Sequence, residues 1–150
     1  MDNTQVMVYF SLYGEEFPID QVTRTLGIKP TNTHQKGDPI VRDLNGNVIS
    51  TGNHYRLETA WKLSTGYQES FDADEQIEQI IGPLKNKASA INKLKEEYGL
   101  ECGFSIVIKM ENGYTPGLHL SNDQMEFANS IKAEFDIDLY ASPYDEDLDD

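Results

Sequence analysis

The sequence predicts an α+β domain built on a largely antiparallel, ferredoxin-like sheet with its helices on one face. Three observations lead there. Residues Gln5 to Tyr13 alternate between an apolar and a mixed set, the period of a half-buried strand. From Ile77 to Tyr98 apolar residues recur at helical spacing. Between these segments lies Asn45-Gly46, a dipeptide that tolerates positive φ at both positions and so signals a hairpin. The order is β-α-β-β-α-β with a further β-α-β at the C-terminal end, which favours antiparallel pairing and helices segregated to one side.

In the first strand Val6, Val8, Phe10 and Leu12 share one face, and Met7, Tyr9, Ser11 and Tyr13 the other. Pro18 suits a first helical turn, Ile19, Val22 and Leu26 follow at helical spacing, and Gly27 supplies a left-handed cap. Pro30 prevents resumption, and Thr31 to Asp38 reads as polar loop. Ile40 to Ile49 carries the hairpin signal. A second strand, Tyr55 to Ser64, places Leu57, Thr59, Trp61 and Leu63 on one face and Arg56, Glu58, Ala60 and Lys62 on the other.

Asp72 and Glu75 form a capping pair for the longest helix, because a carboxylate at the N-cap accepts free backbone N–H groups. Gly82-Pro83 interrupts its apolar stripe, predicting a kink or two abutting helices, and Gly99 ends it. Phe104 to Met110 is a strand with Phe104, Ile106, Ile108 and Met110 inward; Asn112-Gly113 is a turn, and Gly117 to Leu120 a short edge strand. Ser121 and Gln124 read as a capping box opening the last helix, with Met125, Ala128, Ile131 and Phe135 towards the core. The closing run Phe135-Asp136-Ile137-Asp138-Leu139-Tyr140 alternates again, predicting apolar residues inward and two carboxylates outward.

A chain of 150 residues suits one domain, residues 1–144, large enough to bury a core without metal or disulfide staples. Residues 145–150 hold five acids in six positions and predict a disordered, solvated tail that is dispensable for folding. Asp and Glu total 26 against 12 Lys and Arg, a formal charge of −14 that the tail alone does not account for. Such a surface repels phosphate backbones and acidic bilayers, so neither a nucleic-acid polymer nor a membrane is expected as partner. It is better suited to a basic protein, whose encounter it would steer. The lone Cys102, the absence of a basic N-terminal region and the short alternating Val6–Leu12 run predict a cytoplasmic protein.

Several pieces of the chain together resemble the bacterial domain-of-unknown-function family numbered 4279. They are Phe17-Pro18-Ile19-Asp20, Leu26-Gly27-Ile28-Lys29-Pro30, Lys36-Gly37-Asp38, Trp61 in the middle strand, and Ile137-Asp138-Leu139-Tyr140. The resemblance spans nearly the whole chain and implies a small bacterial cytoplasmic protein. It supplies no reaction and no catalytic residues.

His34, His54 and His119 are scattered and there is no second cysteine, so no metal or cofactor is expected. No Gly-x-Ser-x-Gly, P-loop or dinucleotide fingerprint occurs. The open sheet face gathers Tyr9, Tyr13, Arg56, Glu58, Lys62, Lys109, Asp136, Asp138 and Tyr140, an aromatic and charged mixture of the kind found at binding hot spots. The first expectation is therefore a non-catalytic protein that neutralises a partner protein, in the manner of an immunity protein or antitoxin. The alternative is a binder of a small, polar, nucleotide-like ligand through the loop residues Thr31, Thr33, His34 and Lys36, with Arg56 or Lys62. A third is an enzyme whose carboxylates Glu58 and Asp138, with Tyr140, split their pKa values for acid–base work.

Overall fold

The computed structural model describes residues 3–41 and 50–141. Eight strands and four helices make up these residues: β1 (Gln5–Gly14), α1 (Ile19–Leu26), β2 (Asn32–His34), β3 (Pro39–Val41), β4 (Ser50–Tyr55), β5 (Thr59–Ser64), β6 (Gln68–Glu69), α2 (Ala73–Leu84), α3 (Ala88–Tyr98), β7 (Glu101–Met110), α4 (Asn122–Ser130) and β8 (Glu134–Ala141). The main sheet runs β2-β5-β1-β7-β8, with β6 also on β1, while β3 and β4 form a separate antiparallel pair. β1 is antiparallel to β5 and β7, and the β7–β8 pair, joined through α4, is parallel. The α+β class holds, with a mixed sheet. The finer ferredoxin-like arrangement does not follow from this order.

Alternation in β1 decides the layering. Val6, Val8, Phe10 and Leu12 are fully buried and pack with residues from all four helices, among them Val22, Ile77, Ile91 and Phe127. Phe10 sits at the centre, with the Phe104 ring centroid at 5.2 Å and Trp61 edge-on at 6.4 Å. The buried Trp61 indole N–H donates to Thr23 Oγ1 at 3.0 Å, which removes the penalty of enclosing a donor. The other face of β1 is left open, and the site lies there.

Helix ends follow the chemistry read from the sequence at Gly27, Gly99 and Ser121, whereas Asp72 caps α2 without Glu75 as its reciprocal partner and Pro18 is the N-cap of α1. Gly27 and Gly99 close α1 and α3 at φ 67° and 66°, the left-handed region a side chain would strain. Asp72 Oδ1 accepts from the Asp74 N–H at the start of α2. The stripe breaks into α2 and α3 beyond Pro83, which lies inside the last turn of α2. Ser121 and Gln124 form the full reciprocal capping box of α4.

Five expectations need correction. Thr31–Asp38 is not all loop, because Asn32–His34 pairs with β5 as the edge strand β2. Leu57 is 87% exposed, since the strand is interrupted at residues 56–58 and its alternation does not carry through. Gly117–Leu120 contributes only a bridge between Gly117 and Asp72. Helix α4 buries Gln124, Phe127 and Ala128 rather than Met125, and it ends before Phe135, which lies on β8. Gln124 can face inward because its amide also donates to Asp74 Oδ1 (2.8 Å) and Glu78 Oε2 (2.7 Å) on α2. On β8, Phe135 packs on the core but Ile137 and Leu139 are 48% and 59% exposed, because the described helices do not cover this edge strand. The Asn45-Gly46 turn and the acidic segment 145–150 lie outside the described residues.

Candidate functional site

Register places the open face. Ser11 is opposite Lys62 on β5 and Gly103 on β7; Tyr13 is opposite Ala60 and Glu101; Tyr9 is opposite Ser64 and Ser105. Asn32 and His34 of β2 pair with Lys62 and Ala60, so they share that face. Asp136 pairs with Ser105 and Asp138 with Val107 at the other side of the sheet.

The centre of this face is made of small residues. Ser11, Ala60, Gly103 and Ser105 leave a hollow between Tyr9 and Tyr13, and residues 54–58 together with Ile40 wall it on one side. The result is a cavity of about 840 Å³, within the range of small-molecule sites. Ser11 and Ala60 are only 9% and 3% exposed, so the floor is part of the folded interior rather than a loose surface dip.

Its charges are mixed on one side, where Glu58 stands with Arg56 and Lys62. His34, Arg56 and Lys62 line the cavity on the β2–β5 side, and Asp136 stands on β8 beyond the tyrosines. Among the described residues the one ion pair within 4.0 Å is Lys36–Glu15, so the partly buried Arg56 makes no ion pair with a described carboxylate. Partial burial lowers the His34 pKa, and the positive charges of Arg56 and Lys62 lower it further against a small opposing effect of Asp38. Burial raises the Tyr13 pKa, helped by Glu101 and Glu58; its hydroxyl donates to Glu101 Oε1 at 3.5 Å.

Six of the nine sheet-face residues expected from parity line this cavity: Tyr9, Tyr13, Arg56, Glu58, Lys62 and Asp136. Lys109, Asp138 and Tyr140 line a neighbouring depression of about 590 Å³, with Tyr9 and Lys62 as the shared ridge. Lys109 there holds its ammonium 4.1 Å from the Tyr67 ring centroid. Glu58 and Asp138 thus line different depressions, and the carboxylate pair imagined for acid–base work is not brought together around one of them. No group of three His, Cys, Asp or Glu side chains able to hold a metal ion occurs among the described residues.

The loop residues separate by role. His34 reaches the cavity. Thr31 ties β2 to β5 by exchanging hydrogen bonds with the Ser64 backbone, and Lys36 pairs with Glu15 at 3.2 Å. Thr33 is opposite Trp61 and so belongs to the other face. Sequence reasoning missed Ile40, His54 and Tyr55 as walls and Gly103 as floor. Parity of the strand signalled Gly103; nothing local signals where the β3–β4 pair stands.

Residues 4–142 match the family described as Domain of unknown function (DUF4279), and the chain belongs to that family. No curated protein and no solved structure matches the chain significantly. No helix among the described residues is long and apolar enough to cross a membrane.

Proposed function

We propose that this DUF4279 protein is a non-catalytic, cytoplasmic binding protein that takes a small ligand with an anionic group on the open face of its sheet. One observation carries the reading. Arg56 is partly withdrawn from water at a cavity wall, beside His34 and Lys62. Arg56 and Lys62 make no ion pair within 4.0 Å with a described carboxylate, and a ligand carboxylate or phosphate would pair with them through charge-assisted hydrogen bonds. Tyr9 and Tyr13 offer flat apolar surface for a planar body, and Asp136 offers acceptors for its hydrogen-bond donors. A nucleoside monophosphate has these parts and is the first probe. Calorimetric titration of adenosine monophosphate tests the reading: Arg56→Gln is expected to weaken binding about 10- to 100-fold, the worth of one charge-assisted bond. Affinity unchanged in that variant speaks against the site.

A second reading, favoured by the formal charge of −14, is a neutraliser of a basic protein partner of the immunity or antitoxin type. On that reading the acids of β8 and the tyrosines of the open face are the contact surface.

A further inference from the structure

We infer that the outer edge of β8 accepts an extended segment of a partner protein in which basic and apolar residues alternate. The inference deepens the protein-partner reading and rests on it, not on occupancy of the cavity.

β8 is eight residues long, ends the sheet, and pairs only with β7 among the described strands. A long terminal strand presents backbone donors and acceptors along its free side, which is the template used in strand addition. Its two faces are unlike. On the helix side Ile137 and Leu139 are 48% and 59% exposed, although their partners in register, Ile106 and Ile108, are buried. On the open side Glu134, Asp136 and Asp138 form an exposed acidic row. Their neighbours in register are Gly103, Ser105 and Val107, none of which can neutralise them.

That pattern selects the occupant. A second copy of the chain fits poorly: antiparallel pairing about a two-fold axis normal to the sheet matches equal faces. In the register centred on Ile137, for example, Asp136 would meet the other copy's Asp138 at about 4.5–5.5 Å, and like charges directly opposite destabilise a ladder. A foreign strand with Lys or Arg on the open side reverses the sign of that term. Its apolar residues would cover Ile137 and Leu139 on the other side, so alternation satisfies both faces at once.

The probe is a fluorescent eight-residue peptide of alternating Lys and Val, titrated into the full chain at low salt. Its twin carries an N-methyl group on every residue, preserving charge and side chains but blocking the backbone ladder on both edges. The expected result is binding of the parent peptide, slowed amide exchange over residues 134–141, and at least tenfold weaker binding of the twin. The double variant Asp136→Asn, Asp138→Asn is also expected to bind at least tenfold more weakly while keeping its melting temperature. Arg56→Gln, which acts on the cavity wall away from β8, is expected to leave peptide binding intact, so failure of the ligand reading leaves this one testable. Equal binding of the two peptides, no slowing of exchange on β8, or no binding of either overturns the inference.

Discussion

Lys62 holds its ammonium 5.0 Å from the centroid of the Tyr9 ring, diagonally across the β1–β5 pair. The contact fixes two long side chains as the ridge between the two depressions of the open face. A cation over an aromatic face at a partly exposed site is worth about 0.5–1 kcal/mol. Lys62→Gln is therefore expected to lower unfolding free energy by about that amount. It should also weaken binding of an anionic ligand, because it removes one of the two permanent cations, Arg56 and Lys62, at the wall. Urea denaturation and calorimetric titration of the same sample separate the two effects.

Gly103 is the position at which the floor of the cavity can be raised without touching its charges. A Cβ built there meets nothing nearer than the Glu134 carbonyl oxygen at 3.5 Å, an ordinary contact, and Gly103 is not among the positive-φ glycines. Valine favours strands and glycine costs about 0.5–1 kcal/mol inside them, so Gly103→Val is expected to fold with equal or slightly higher stability. Its side chain would stand on the cavity floor and abolish ligand binding. A thermal melt and a titration check both halves.

His34 makes stability and affinity move in opposite directions with pH. Its pKa in the folded protein lies below the ordinary 6.5, through burial and then Arg56 and Lys62. The unfolded chain therefore binds this proton first as pH falls through 6.5, and the folded state loses stability until its own histidine protonates. An anion beside the imidazolium reverses the preference. Sulfate, whose charge does not change over this range, should bind more tightly as pH drops through the same window. His34→Asn should flatten both profiles, in melts and in sulfate titrations.

Gln124 ties α4 to α2 while capping α4, so it stabilises more than its neighbour Met125 does. Gln124→Ala removes the box partner and leaves Asp74 and Glu78 without their shared donor. It is expected to cost about 1–3 kcal/mol. Met125→Ser, at an exposed position, should lie within about 0.5 kcal/mol of wild type. Urea midpoints of the two variants check the difference.

Local chemistry carried much of the fold. Alternation in Val6–Leu12 and Phe104–Ile108, the stops at Gly27 and Gly99 and the Ser121–Gln124 box depend on neighbours within one or two turns, and a sequence displays these directly. Errors arose where tertiary context decides. Leu57 has the parity of Trp61 but sits past the point where pairing stops. Met125 is as apolar as Phe127, yet a polar Gln124 took the inward place because α2 supplied its partners. Alternation places Ile137 and Leu139 on the core side because it reports two faces without reporting whether both are covered. The site was legible as a face, since parity alone assigns Tyr9, Tyr13, Lys62 and Asp136 to one side of the sheet. It was not legible as a cavity, because the hollow depends on small residues from three strands and on a wall from the β3–β4 pair.

The most direct test is native mass spectrometry of the protein purified under mild conditions from its source cells, beside Arg56→Gln and Gly103→Val purified in the same way. The account predicts a retained mass of a few hundred daltons on the wild type that both variants lose. Wild type and variants all bare, with no response of the wild type to sulfate or adenosine monophosphate, would contradict it.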